Sequence, residues 1–192
     1  MNNPLEGKIV LILGGAGGIG SETARALTAK GAKLAIADID EARLEAAHAT
    51  IATTGARRYA VDVTDRARVA SVVEAVVRDF GGLDVLINSA GVMLIRPMSE
   101  VNADEWETTV DLNIKGTLWG IAAALPVFMR QGSGHVVNLG SVHGLKVFSP
   151  GGAIHSASKF AIRAISEGLR AELAGTGIRV TMITPGAVDT GI

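Results

Sequence analysis

Ile9-Val10-Leu11-Ile12-Leu13 runs directly into Gly14-Gly15-Ala16-Gly17-Gly18-Ile19-Gly20, and a helical pattern from Ser21 to Lys30 follows. The apolar run is continuous rather than alternating, as in a strand buried on both faces of a parallel sheet. Glycine permits a tight turn and lets backbone approach a ligand with no Cβ in the way. The helix behind it offers free N–H groups to a pyrophosphate. A glycine-rich turn by itself could bind nothing. Between a buried strand and a helix it reads as a dinucleotide-binding turn, with Gly14, Gly18, Ile19 and Gly20 as its contacts.

The same alternation continues outward. Further strands are expected at Lys33–Ala37, Arg58–Val61, Leu83–Ile87, Gly134–Leu139 and Ile178–Ile183. Helices are expected at Glu41–Thr53, Asp65–Phe80, Asp104–Gln131 and Ser156–Ala174. Asn113, Gly116 and Pro126 interrupt the third of these, which predicts bends rather than a straight rod. Strand and helix in strict alternation imply an α/β fold, with a doubly wound parallel sheet and helices on both faces. At 192 residues, with no visible boundary or repeat, the chain reads as one domain, 1–192.

Bulk composition narrows the partners. Hydrophobic residues make up 48% and charged residues 19%, which suits a packed core and argues against disorder. The formal net charge of -1 offers nothing to a polyanion, so nucleic acid is not an expected partner. Cysteine is absent, which removes disulfides and thiolate chemistry and fits a cytoplasmic location. No signal peptide is apparent, and no apolar run reaches the ~18 residues of a membrane span. No metal site is expected, and His143 reads as a loop residue without partner ligands in sequence.

Two groups of residues suggest chemistry. Asp38 closes the second strand, 18 residues past Gly20, where an acid accepts hydrogen bonds from an adenosine ribose and repels a 2′-phosphate. NAD is therefore favoured over NADP; the plain alternative is a solvated strand-end carboxylate. His155 and Lys159 share one helical face at i, i+4. Ser141 follows the fifth strand, so a hydroxyl, an imidazole and an ammonium could meet.

These features together resemble the short-chain dehydrogenase/reductase family over essentially the whole chain. The resemblance rests on Gly14/Gly18/Gly20, Asp62-Val63, Asn88-Ser89-Ala90-Gly91, Asn113, Ser141, the His155-x-x-x-Lys159 frame and Pro185-Gly186-x-Val188-x-Thr190. It implies a Rossmann-type sheet of order 3-2-1-4-5-6. It also implies that Asp62 and Val63 flank the adenine, and that Asn88, Ala90 and Gly91 line the cofactor and support the sheet. Lys159 would hold the nicotinamide ribose, and Val188 and Thr190 the carboxamide, with Pro185 and Gly186 in the same cofactor-binding turn. Asn113 would bend its helix and hold a water linking Lys159 to solvent. Ser141 would hydrogen-bond the substrate oxygen. Taken one at a time, Asn88 and Asn113 could equally be turn or kink residues, and Ser141 a loop cap.

The chain departs from the family pattern in several places. Leu13 replaces a usual Thr, and Ser89 a usual second Asn. His155 occupies the position of the catalytic tyrosine, and the lone tyrosine, Tyr59, lies near the third strand. The chain also stops soon after Thr190, so a seventh strand and a C-terminal substrate-covering part are expected to be missing from it.

A cation beside a tyrosine lowers its pKa from ~10 toward neutrality, but beside a histidine it pushes ~6.5 further down. His155 should then be mostly neutral at pH 7, able to accept a proton and poor at donating one. Three readings follow: a working NAD-dependent alcohol dehydrogenase, an NAD-binding protein without turnover, and other proton chemistry at the same site. Val92–Ile95 and Val142–Phe148 should face the nicotinamide and favour a hydrophobic alcohol or ketone, unless they pack under the absent cover. By the family resemblance, apolar faces on 104–131 and 156–174 predict a homodimer or homotetramer.

Overall fold

Strand β1 (Ile9–Leu13) lies in the middle of a sheet and sends alternate side chains to opposite faces. Leu11 and Leu13 enter one buried cluster, and Val10 and Ile12 enter the other. This is the two-sided burial that the continuous apolar run predicts. The computed structural model describes residues 3–51, 55–148 and 150–190.

Six strands are present in all-parallel register: β1, β2 (Lys33–Asp38), β3 (Arg57–Ala60), β4 (Val85–Asn88), β5 (Gly134–Leu139) and β6 (Ile178–Ile183). Their order is β3-β2-β1-β4-β5-β6, as expected. The order reverses between β1 and β4, and this switch point opens a crevice at the carboxyl ends of the strands. Helices α1 (Gly18–Thr28) and α2 (Glu41–Ala49) cover the face that buries Val10 and Ile12. Helix α3 (Arg66–Phe80) and the long helical stretch after β4 cover the Leu11 and Leu13 face.

That long stretch is broken, as the interruptions predict. Helix α4 (Ala103–Thr109) passes into a π-helical turn over Val110–Lys115, which then becomes α5 (Gly116–Gln131). A π turn admits an extra residue and rotates the following face. Here it turns Asn113 into the interior, where it is 1% exposed. By length and composition alone the span Ala103–Gln131 could cross a bilayer, with a mean hydropathy of 1.3 over its most apolar window. In this fold it is a core helix: Ile121, Ala124 and Phe128 are buried in the same cluster as Leu11, Leu86 and Val136.

Several boundaries shift. Asp65 is the N-cap of α3 rather than its first residue, accepting from the Ala67 and Arg68 N–H groups. Helix α2 stops at Ala49, and its expected end at Thr53 lies outside the described residues. Helix α6 (Ala153–Glu172) begins one turn before Ser156, with Gly152 in front of it and no side-chain cap. Without a capping residue that start has no sequence signal. The shift places His155 inside the first turn, firmly anchored.

Candidate active site

The glycine turn is held from behind. The Gly14 and Gly15 N–H groups donate to the Ala37 carbonyl at 2.8 and 3.0 Å. The Ala16 N–H donates to Asp38 Oδ2 at 3.0 Å. Asp38 Oδ1 accepts from the Ile39 and Asp40 N–H groups at 2.9 and 3.4 Å, so it is Oδ2 that keeps a lone pair for a further donor. Gly14 has φ +84°, and a Cβ there would come within 2.6 Å of Ala90 Cα. A Cβ on Gly20 would strike the Gly14 carbonyl, and one on Gly18 would strike Thr190. The α1 N-terminus has neither a side-chain cap nor an acid in its first turn. These residues fit a dinucleotide: a Cβ-free cradle, an uncapped helix end for the pyrophosphate, and a carboxylate with spare acceptor capacity.

Other expected cofactor residues surround this cradle unevenly. The Ser89 and Ala90 N–H groups share the Leu13 carbonyl, at 2.8 and 2.9 Å, tying β4 to β1 at the switch point. Asn88 donates to Asn138 Oδ1 at 2.9 Å, and Asn138 donates to Ser166 Oγ at 2.9 Å. This buried chain joins β4, β5 and α6, and neither Asn138 nor Ser166 was expected from sequence. Asp62 caps its own turn by accepting from Thr64. Val63 is buried, with its Cγ2 against Gly116. The Pro185 carbonyl accepts from the Val142 N–H at 3.0 Å. Gly186 has open space around it, and Val188 is exposed. A hollow of about 290 Å³ beside the turn is lined by Ala16, Ser21, Arg25, Arg43 and Thr50 among others. It places Arg25, paired with Glu22, and Arg43 beside the glycine turn.

At the other end of the crevice, α6 brings His155 and Lys159 to the end of β5. Lys159 Nζ donates to the Leu139 carbonyl at 3.0 Å. Burial lowers its pKa to about 8. Gly91 makes room for both Asn113 and Lys159: a Cβ there would lie 2.7 Å from Asn113 Oδ1 and 3.9 Å from Lys159 Nζ. Asn113 takes the Val92 N–H on its Oδ1 at 2.8 Å and donates from Nδ2 to the Val92 carbonyl at 2.9 Å. The π turn therefore aims this amide at the loop after β4.

Ser141 Oγ accepts from the His143 N–H at 3.1 Å and starts a short 3-10 turn, Val142–Gly144. That turn lies on α6, since a Cβ on Gly144 would meet the Lys159 carbonyl at 2.7 Å. His143 is no idle loop residue. Its ring packs edge-on to His155, and its Nδ1 is 3.1 Å from Ser156 Oγ. Its distance from His155 in sequence hides this contact. The loops after β4 and β5 also meet, through the Arg96 N–H and the Gly151 carbonyl at 3.1 Å.

His155 is 3% exposed. Its Nδ1 faces the Val92 carbonyl at 3.3 Å, and its Nε2 has no hydrogen-bond partner among the described residues. Burial, then Lys159 and His143, lower its pKa to about 4, against a smaller opposing effect of the Val92 carbonyl. The imidazole is neutral at pH 7 and can accept a proton.

The family model for short chain dehydrogenases matches residues 8–192. The chain belongs to the short-chain dehydrogenase/reductase family. It is an oxidoreductase of the class that acts on CH–OH groups with a nicotinamide dinucleotide. An uncharacterized oxidoreductase of Staphylococcus saprophyticus is 43% identical over 192 residues, covering 99% of this chain and 77% of the relative. One from Staphylococcus aureus strain MW2 is 39% identical over 188 residues, covering 98% and 81%. Among solved structures, NAD+-bound xylitol dehydrogenase aligns with a TM-score of 0.91 at 35% identity, covering 95% of this chain and 71% of that one. Levodione reductase aligns with a TM-score of 0.91 at 34% identity, covering 95% and 72%. A family member from Burkholderia phymatum in complex with NAD reaches 0.94 at 31% identity, covering 100% and 69%.

Proposed function

We propose that this short-chain dehydrogenase uses NAD to interconvert a hydrophobic secondary alcohol and its ketone, with His155 as the proton acceptor. The observation that carries this reading is the buried His155 Nε2 beside Lys159, which has no hydrogen-bond partner among the described residues. A substrate hydroxyl would supply that partner and leave its proton on Nε2. Ser141 would orient the same oxygen. Lys159, partly charged near its lowered pKa, would favour the negative charge that develops there. Asp38 would accept from the adenosine ribose, and Lys159 would also hold the nicotinamide ribose. A bound nicotinamide supplies the hydride acceptor.

Exposed Met93, Ile95, Leu145, Val147 and Phe148 on the loops after β4 and β5 support an apolar substrate. The same reading includes self-association through 104–131 and 156–174, where Val110, Met129 and Phe160 remain exposed.

One observation favours a second reading. With a pKa of about 4, His155 carries almost no proton to give a ketone at neutral pH, so a binding protein without turnover is the competitor. Calorimetric NAD titration alongside NADH formation from a panel of hydrophobic secondary alcohols separates them. Binding with turnover is expected. Binding without turnover on every alcohol supports the second reading, and no binding removes both.

A further inference from the structure

The substitution of an imidazole for a phenol introduces a question that a phenol does not pose: which nitrogen carries the proton. The surroundings of His155 answer it. The Val92 carbonyl is an acceptor only, and His155 Nδ1 lies 3.3 Å from it. That contact is attractive only if Nδ1 bears hydrogen. Were the proton on Nε2, two lone pairs would face each other at Val92, and a buried N–H would have no partner among the described residues.

Val92 is itself fixed. Its N–H requires an acceptor and its carbonyl a donor, so the Asn113 amide can face it one way round: Oδ1 to the N–H at 2.8 Å, Nδ2 to the carbonyl at 2.9 Å. The second Nδ2 hydrogen goes to Ser158 Oγ at 2.9 Å. Ser158 has spent its own hydrogen on the His155 carbonyl at 2.7 Å, so it can only accept from Asn113. The hydrogen bonds thus form a closed loop: His155 carbonyl, Ser158, Asn113, Val92 and back to the His155 ring. All of its side chains are buried.

We propose that Ser158, Asn113 and the Val92 carbonyl lock His155 as its Nδ1–H tautomer and leave Nε2 as the proton-accepting atom. The inference rests on the proposed role of His155. In the step concerned, the alcohol O–H bond breaks and its proton forms a bond to Nε2. The imidazolium so formed has N–H on both nitrogens, and Val92 still accepts from Nδ1. Ser158 and Asn113 are positioning residues in this arrangement, since they act through Val92 and the helix backbone.

The test is nitrogen-15 NMR of the full chain labelled at histidine, at neutral pH without cofactor. There are four histidines, and loss of a signal in His155→Gln assigns the one of interest. The expected result is a protonated Nδ1 and an unprotonated Nε2 on His155, with Ser158→Ala shifting the population toward the other tautomer. A protonated Nε2, or an equal mixture in the unsubstituted chain, overturns the proposal. If Ser158→Ala fails to fold, the spectrum of the unsubstituted chain still decides. The readout is independent of turnover: a locked tautomer with no alcohol oxidation sinks the proposed activity and leaves the lock, whereas turnover with a mixed tautomer does the reverse.

Discussion

His143 stands edge-on to His155, with ring centroids 5.3 Å apart and ring planes at 72°. Phe148 packs against the His143 ring at 5.2 Å, so an aromatic stack leads from the surface to the buried imidazole. A charge on His143 disfavours a charge on His155, which adds to burial and to Lys159 in lowering the His155 pKa.

Replacing His143 with Phe keeps the stack and removes that charge. The His155 pKa should rise, and the acid limb of any pH–rate profile should move to higher pH. Following kcat/KM across pH for alcohol oxidation checks this. An unmoved limb would mean that His143 is packing alone.

His155 also links stability to pH. Its folded pKa of about 4 lies below the ordinary 6.5, so between those values the unfolded chain binds the proton and the folded chain does not. Stability is therefore full above 6.5 and is lost as pH falls toward 4, by on the order of 3 kcal/mol from this one group. Denaturant midpoints at a series of pH values should show that slope, and His155→Gln should flatten it.

Gly14→Ala should damage the cofactor cradle. The residue sits at φ +84° with Ala90 backbone where a Cβ would go, so a loss of about 1–3 kcal/mol is expected from backbone strain alone. NAD affinity should fall with it. Gly168→Ala is the contrast, because a Cβ there meets nothing within 4 Å in mid-helix α6. That change should stabilise by about 0.5–1 kcal/mol. Urea titrations of both variants make the comparison.

The Asp38 carboxylate supports the turn through Ala16 and is proposed to hold the adenosine ribose. Asp38→Ala should weaken NAD binding by about 10- to 100-fold, the worth of hydrogen bonds to a charged group. Removing the charge also stops repulsion of a 2′-phosphate, so preference for NAD over NADP should drop. Calorimetry with both dinucleotides checks the ratio, and equal affinities in the unsubstituted chain would remove the role given to Asp38.

The strands can be read from sequence because periodicity and glycine punctuation are local, whereas their order follows from the family resemblance. The cradle is local too, since Gly14, Gly18, Gly20 and Asp38 lie near each other along the chain. Asn113 reads as a bend in sequence, but its amide clamp on Val92 depends on how far the π turn rotates the helix. The Asn138–Ser166 link and the His143–His155 contact join distant segments, and no local pattern announces either. The Val92 carbonyl is a backbone atom with no residue signature at all. The early start of α6 has no local signature, because Gly152 provides no side-chain cap.

The central claim is that His155 accepts the substrate proton. The most direct measurement is the pH dependence of NAD+ reduction by the chain, by His155→Tyr and by His155→Gln, using one hydrophobic secondary alcohol. The account predicts turnover by the His form that is level at neutral pH and lost toward pH 4, a different profile for the Tyr form, and a fall of about 10²- to 10⁴-fold for the Gln form. Turnover by the Tyr form alone, or equal turnover by the His and Gln forms, would contradict it.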